Sequence, residues 1–550
     1  MKKYILVTAF FIINIFNNIN AQSWLWAKSA GSQNGPVDFG ESVCTDNNGN
    51  VYIAGWTMLP TSYFQTDTFT INGFNDFFLA KYDANGNELW VKQFGGNNSV
   101  SANPMKSESV GKLIFDANTN SLFLTGDFVG SCVFGAYTLT ANGFNDVQMF
   151  IAKFDLNGNC IWAKGGGGSG DDYFGEFTID TLGSIYVLGS TQSGGIVDTI
   201  SLPQGDLLAK YDNNGNCIWA KTIFGYQSAS GTSIKIYNSN IFVLGINAVD
   251  SFYVDTMLIQ TNNYKGCFIA RFNSDGNILQ VNKYIGGPSA IMGMMSLDEH
   301  GNFYILCNFK NGYATFNNNI DTIHSSDTTH FFLAKYDTNG NFKWAHQDSA
   351  FTTFGYGVFT DADSNTYITG GFSGSAKFGG FNITASTAQD MFVAKYNSVG
   401  GCLGVSFTGE AFGFDLVANN TGNCYVTGGF RNTIDFGTTT LTSHGGNDIF
   451  VAKLDAITGI SKINPNTNNT LIIYANPTTG KSNIKVPDDF TNEKNLSLSI
   501  FDNSGKMIQQ TSLQMNDGKI KLNLEAEAKG IYNVTLTNGK KVYSGKIVFE

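Results

Sequence analysis

The stretch "AKYDANGNELWVK" at 80–92 returns as "AKFDLNGNCIWAK" at 152–164, "AKYDNNGNCIWAK" at 209–221 and "AKYDTNGNFKWAH" at 334–346. Aligned on its first residue, the motif recurs at Ala80, Ala152, Ala209, Ala270, Ala334, Ala394 and Ala452, at spacings of 72, 57, 61, 64, 60 and 58 residues. Self-similarity at a nearly fixed period confines a chain to solenoids, propellers or arrays. Each unit holds a second Asn/Gly-rich turn ahead of a strand-like run, as in "DNNGNVYIAG" at 46–55, "DADSNTYITG" at 361–370 and "NNTGNCYVTG" at 419–428. Short apolar runs such as "VYIAG" and "FFLAKY", bounded by turn residues, read as strands. Two hairpins per unit give four strands per unit.

Composition agrees with an all-β chain. Charged residues are 14% of the sequence, against about 25% in an average globular protein, while aromatics are 14% and glycines number 63. A four-stranded antiparallel unit repeated seven times predicts a seven-bladed β-propeller, in which radial packing leaves only short protected edges. Residues 24–31, "WLWAKSAG", match the fourth-strand sequence "LWVKQFGG" at 89–96 but follow no hairpin partner. At the other end "IFVAKLDAITG", 449–459, supplies a third strand without a fourth. The N-terminal strand is therefore expected to close the last blade.

Motifs such as "NDFFLAKYDANGN" and "NDIFVAKLD", recurring in register over about residues 22–459, resemble bacterial seven-bladed β-propeller repeat (SBBP-like) proteins. The resemblance implies a fold and no single activity. Unit four departs from it with Arg271 in the lysine position and unit six with "YNSVGG", so symmetry is expected to degrade there; the 72-residue spacing places an insertion near 97–110.

The ends carry addressing signals. Met1-Lys2-Lys3, the apolar run 4–16 and Ala21 before Gln22 make residues 1–21 a secretory signal peptide, too short to span a bilayer. With no later transmembrane segment, the mature chain is expected outside the cytoplasm. After a linker at 460–470, residues 471–550 read as about seven alternating strands of a small β-sandwich. The residues "NPTTG" at 476–480, "FDNSGKMI" at 501–508, "KGIYNVTL" at 529–536 and the terminal "GKIVFE" resemble the C-terminal sorting domain of the type IX (Por) secretion system of Bacteroidetes. The resemblance implies the type IX machinery as a partner, outer-membrane export of a folded cargo, and release or attachment at the cell surface. It makes Asn476, Pro477, Thr478, Thr479, Gly480, Gly530 and Tyr532 the sorting-motif residues.

Signals for chemistry are sparse. "ANPTTGKS" at 475–482 imitates a phosphate loop, but a strand and Pro487 follow where a helix is needed. "GGGGSG" at 165–170 likewise lacks a following helix. The five histidines form no ligand set, and the eight cysteines, several inside strand-like runs, read as small buried hydrophobes. The net charge of -11 argues against nucleic acid. Calcium is the one metal to consider, because Asp83, Asn85 and Asn87 alternate oxygen donors; a calcium loop needs a bidentate Glu at its twelfth position, where Phe94 stands, so a turn is the better reading and no cofactor is expected.

Asp76, Asp390 and Asp448 recur four residues before the motif alanine, and Asp206 three before its own. They are the candidate ligand-binding residues, a carboxylate-lined channel mouth; the competing reading has each carboxylate accept backbone N–H groups at the entrance of a strand. Lys81, Lys153, Lys210, Arg271, Lys335, Lys395 and Lys453 make a parallel cationic set, for which pairing with turn aspartates such as Asp83 is the plain expectation. No catalytic residue is identified. The function these features predict is a secreted or surface-displayed, non-enzymatic, monomeric propeller binding a protein, glycan or matrix partner through loops such as 97–110, 192–205, 311–329 and 373–390. Alternatives are a surface polysaccharide hydrolase or lyase acting at the channel mouth, and a structural or adhesive surface-layer component.

Overall fold

The computed structural model describes residues 23–457 and 471–550 apart from 34, 36, 59–60, 72, 97–107, 144–145, 226–228, 248, 261–265, 287–289, 317–320, 348, 488–489, 491–495, 503–506, 514–518 and 539–541. The expected signal peptide, the linker and most of the 97–110 insertion lie outside the described residues. The protein is all-β, and no helix among the described residues is long and apolar enough to cross a membrane.

Seven runs of four antiparallel strands recur among the described residues. The first sheet is Phe39–Thr45, Val51–Met58, Asn75–Tyr82 and Glu88–Phe94; the sixth is Ser349–Thr360, Thr366–Phe378, Asp390–Tyr396 and Cys402–Thr408. The seventh takes Ala411–Ala418, Cys424–Phe430 and Asp448–Leu454 from one end of the chain and Trp24–Ser32 from the other, with Trp26 opposite Lys453 and Ala30 opposite Ile449. The N-terminal strand thus occupies the position the sequence assigned to it.

The middle strands are buried on both faces, which explains why their sequences are near-continuous apolar runs: in Asn75–Tyr82 every residue but Lys81 is buried. Apolar clusters lie between successive sheets. One joins Tyr52, Phe77 and Leu79 of the first sheet to Leu122, Phe150 and Phe154 of the second. Another joins Trp26, Ile449 and Val451 of the seventh to Val51, Ile53 and Phe78 of the first. The first strand of each sheet contacts the first strand of the next, and Ala411–Ala418 contacts Phe39–Thr45.

The sequence did not reveal an additional hairpin between the second and third strands of most units. Gly195–Val197 and Ile200–Leu202 form one such hairpin, and it pairs back onto Cys160–Gly167 of the preceding sheet. Ser251–Val254 and Met257–Gln260 do the same against Cys217–Gly225. The connections 192–205, 311–329 and 373–390, read from sequence as variable loops, therefore contain paired strands. Their signal was present: "VFGAYT", "IVDTIS", "KFGGFN" and "DFGTTT" share a turn residue after an apolar one, and Gly135, Asp198, Gly379 and Gly437 there have φ of 61, 56, 56 and 63°.

Residues 471–550 form a three-stranded sheet (Ile472–Tyr474, Lys481–Lys485, Lys519–Asn523) and a four-stranded one (Leu496–Phe501, Met507–Leu513, Gly530–Thr537, Val542–Phe549) around a core of Ile484, Leu498, Ile500, Val534, Leu536 and Ile547. The phosphate-loop look-alike runs into the strand Lys481–Lys485.

Candidate binding site

The alternating Asp/Asn pattern forms Asx turns. Asp83 Oδ1 accepts N–H bonds from Asn85 (2.9 Å) and Asn87 (2.8 Å), and its Oδ2 accepts from Asn87 Nδ2 (2.8 Å). Asp155, Asp212 and Asp337 repeat the pattern. The donors that a cation would need are turned toward their own backbone. Among the described residues no group of three or more His, Cys, Asp or Glu could hold a metal ion.

Of the four candidate aspartates, Asp76, Asp390 and Asp448 are buried and Asp206 is half-buried, each at the start of a third strand. Asp390 accepts from Ser386 N (2.7 Å), Ser386 Oγ (2.8 Å) and Thr387 N (3.1 Å); Asp448 accepts from His444 N (2.9 Å) and Nδ1 (3.2 Å). Asp206 accepts from Gly231 N at 2.6 Å, and burial pushes its carboxyl up to about 6. Asp76 accepts from Gln93 Nε2. Asp390 and Asp448 accept from segments just before their own strands, although Asp448 Oδ1 has no hydrogen-bond partner among the described residues, and Asp206 accepts from the first strand of the next sheet.

The lysines share an arrangement beyond the expected pairing with turn aspartates, which Lys335 keeps with Asp298 at 3.9 Å. Each packs its ammonium on an aromatic ring of the second strand, as Lys81 does over Tyr52 (5.0 Å) and Lys453 over Tyr425 (5.2 Å). Most then donate into the third-to-fourth-strand turn of the next sheet: Lys81 to Leu156 O (3.3 Å), Lys335 to Ser398 O (3.1 Å), Lys453 to Ala84 O (3.1 Å). Opposite the lysine in register stands a tryptophan whose indole N–H reaches the same carbonyl or, in the second sheet, the backbone carbonyl of the asparagine whose side chain takes Lys153. Trp90 donates to Leu156 O (3.2 Å), Trp162 to Asn213 O (3.1 Å), Trp219 to Ser274 O (3.3 Å), Trp344 to Ser398 O (3.2 Å) and Trp26 to Ala84 O (3.1 Å). The lysine and tryptophan form a latch on the neighbouring sheet.

Two sheets lack the tryptophan. Gln280 faces Arg271 in the fourth, and Gly404 faces Lys395 in the sixth. At the first of these junctions lies a cavity of about 70 Å³ bordered by Arg271, Gln280 and Asn339. At the second lies one of about 700 Å³, bordered by Phe359, Asp361, Asp363, Lys395, Leu403 and Asn419, and by Glu299 of the fifth sheet. Lys395 is 8% exposed, sits 4.8 Å over the Tyr367 ring, and its ammonium makes no hydrogen bond among the described residues. Burial lowers its ammonium pKa, against the pull of Asp361 and Asp363. Tyr367 is fully buried, and its hydroxyl lacks the bond within 3.5 Å that Tyr52 and Tyr186 make to their turn aspartates at 3.0 and 3.1 Å.

Along the first strands, charged groups unmarked by any sequence motif pair between sheets. Lys112 of the second sheet meets Asp415 of the seventh at 2.7 Å, and Asp415 also accepts from Ser42 Oγ of the first (2.7 Å). Lys235 of the fourth meets Glu176 of the third at 3.0 Å. Glu41 accepts from Val110 N at 2.8 Å, and burial raises its carboxyl to about 7. Burial also lifts the nearby Asp127, which accepts from Ser109 Oγ at 2.6 Å.

In the C-terminal unit the sorting-motif residues tie the last strand down. Asn476 Nδ2 donates to Lys546 O (2.6 Å) and its Oδ1 accepts from Val548 N (2.9 Å), while Thr478 N donates to Val548 O (2.8 Å). Gly480 at φ 118° accepts from Leu524 N (2.7 Å), and the Tyr532 hydroxyl donates to Ala528 O. Pro477 and Thr479 lie in the same segment, and Gly530 opens the strand that carries Tyr532.

Residues 472–550 match the family model described as a secretion system C-terminal sorting domain. This tail implies export through the type IX system, to the cell surface or beyond it. An uncharacterized WD repeat-containing protein of Acanthamoeba polyphaga mimivirus is 27% identical over 37% of this chain, which spans about a fifth (19%) of that relative's length. Among solved structures, Drosophila Semaphorin 2a aligns over 95% of this chain and 98% of its own (9% identity, TM-score 0.38). A polysaccharide lyase of family PL25, an ulvan lyase, aligns over 77% and 96% (12%, TM-score 0.39), and Bacteroides ovatus GH43B over 78% and 99% (11%, TM-score 0.26).

Proposed function

We propose that the chain is an exported, monomeric seven-bladed β-propeller that recognises a protein, glycan or matrix partner outside the cell and acts by binding. The seven repeated sheets, the contacts that run from each first strand to the next and from the seventh sheet back to the first, and the latch of Trp26 and Lys453 on Ala84 support a closed ring. In that ring the N-terminal strand completes the last blade, and SBBP-like repeats build each blade. A signal peptide at 1–21 and the type IX tail would deliver it.

The observation that carries the recognition reading is the commitment of the axial charges. Lys112, Asp415, Glu176 and Lys235 neutralise one another across four sheets, and Asp390 and Asp448 cap backbone, so the surface left for partners consists of turns and hairpins at the ends of the sheets. Arrays of glycans and matrix proteins probed with the purified full chain test it: saturable binding to any class supports recognition. Failure to bind all of them, together with release of sugars from a polysaccharide, would replace it with the hydrolase or lyase reading.

One observation favours that second reading. Glu41, a carboxyl raised to about 7 with Asp127 beside it, could donate a proton near neutrality. Loss of any such activity in Glu41→Gln would assign it. Concentration-dependent self-association of the full chain would instead favour a structural or adhesive layer component.

A further inference from the structure

At the junction of the sixth and seventh sheets the latch is missing for two independent reasons. In the sixth sheet Gly404 stands where the tryptophan ring would lie. In the seventh sheet the receiving turn is also altered. Elsewhere that turn runs directly into a fourth strand of the same unit, as Asp83 to Asn87 runs into Glu88–Phe94. Here the fourth strand is Trp24–Ser32 from the other end of the chain, and Asp455 gives its N–H to Ser23 O (3.0 Å) while its carboxylate accepts from Ala456 N (2.8 Å). The cavity is therefore a consequence of the seam between the two ends of the repeat array.

Its chemistry is specific. Lys395 retains the aromatic seat of its counterparts, Tyr367 at 4.8 Å, but not the carbonyl oxygen that Lys335 finds 3.1 Å away. Its ammonium borders the cavity with no protein acceptor among the described residues, so a ligand oxygen entering the cavity can take the place that Ser398 O fills for Lys335. The missing group is an oxygen acceptor. It is not an anion, because Asp361, Asp363 and Glu299 border the same cavity and would repel one. Asp361 already accepts from Asn365 N (2.8 Å), and Asn419 from Thr421 N (3.1 Å) and Asn423 N (3.0 Å), which leaves Asp363 and Glu299 as the acceptors suited to a ligand that also donates, and Phe359 and Leu403 supply an apolar wall. Hydroxyl groups both accept and donate, and a ring that carries several of them presents apolar C–H faces as well. At about 700 Å³ the cavity falls within the roughly 300–1,000 Å³ range of small-molecule sites.

We propose that the cavity at the junction of the sixth and seventh sheets binds a neutral saccharide unit, with Lys395 donating to one ligand oxygen and the Asp363 carboxylate accepting from its hydroxyls. The proposal rests on the recognition reading above and names the ligand class for one site.

The test is ligand-observed NMR and titration calorimetry on the full chain, using the methyl glycosides of glucose, galactose, mannose, xylose and rhamnose and methyl glucuronide as probes. At least one neutral glycoside is expected to bind, with methyl glucuronide weaker. Lys395→Met and Gly404→Trp, the latter refilling the empty slot, are each expected to weaken binding at least tenfold. Lys335→Met, whose amine is already tied to Ser398, should leave it unchanged. Thermal unfolding of every variant checks that it is folded. Neutral-glycoside binding that survives both Lys395→Met and Gly404→Trp would overturn this site but leave the recognition reading standing. Preference for the glucuronide would overturn the assignment of a neutral ligand. No binding to any glycoside, with a protein partner captured on the arrays, would overturn the saccharide and keep recognition; silence on both would overturn both.

Discussion

Trp162→Ala removes one latch and shows how strongly neighbouring sheets are joined. The indole is 7% exposed, donates to Asn213 O at 3.1 Å and lies flat on the next turn, so close that a Cβ at Gly215 would sit 2.9 Å from the ring. Truncating a buried aromatic to alanine costs about 3–5 kcal/mol. The hydrogen bond is a smaller share, about 1 kcal/mol, since water can reach the freed carbonyl in an exposed turn. Trp162→Phe keeps most of the ring and loses the N–H, so it separates the two terms: about 1–2 kcal/mol is expected for Phe and about 3–5 for Ala. Urea unfolding followed by far-ultraviolet circular dichroism measures both as shifts in midpoint at constant slope. A cost below about 1 kcal/mol for Trp162→Ala would refute the latch as a stabilising contact. Equal costs for Ala and Phe would mean that the hydrogen bond, and not the packing, holds the sheets.

Other outcomes follow from the same geometry. Gly215→Ala places a Cβ against that ring at φ +80° and is expected to destabilise by about 1–2 kcal/mol in the same assay. Burial raises Glu41 to about 7 and Asp38 and Asp206 to about 6, so the folded chain holds protons that the unfolded chain releases; this contribution is complete below pH about 4 and is lost as pH rises through 6–7. The melting temperature should therefore fall between pH 5 and 8, and Glu41→Gln should flatten the fall; a rise over that range would contradict the assignment. Chelator or added calcium should leave the melting temperature unchanged, because the turn aspartates already accept their own backbone N–H groups; a shift of several degrees would restore the metal reading. Cys267 Sγ and Cys307 Sγ face each other at 3.2 Å across the fourth and fifth sheets, so folding in a glutathione redox couple is expected to join them; peptide mass mapping that finds both thiols free would refute this.

The repeat made the strand order legible. The motif fixed the strand beginning near Asn75 and its six counterparts, and the orphan sequence at 24–31 and the partnerless strand at 449–459 anticipated their pairing. Glycine and aspartate at fixed offsets marked the turns because positive φ and Asx bonding leave few residue choices. The additional hairpins were harder to see, since their strands are only three or four residues long and lack the alternation a longer strand shows. The cavity could not be read from composition. It arises because Trp90, Trp162, Trp219, Trp344 and Trp26 share a slot that Gly404 leaves empty, a pattern that acquires meaning only once Lys395 is known to face Gly404 in register. Glu41, Lys112 and Glu176 carry no motif; their partners come from other sheets, and sequence spacing holds no trace of such contacts.

The pairing of Trp24–Ser32 with Asp448–Leu454 joins segments more than four hundred residues apart. Of the seven sheets, only this one needs both ends of the repeat array, and its contacts are the most distant in sequence and the costliest to bring together. The first strand to emerge during synthesis is thus the last to find its place, and it must wait for the strand that immediately precedes the segment leading to the sorting tail. A chain cut short anywhere before Asp448 would lack both the partner for its leading edge and the address label at 472–550. Any chain that carries residues 472–550 therefore also carries Asp448–Leu454, the strand against which Trp24–Ser32 pairs.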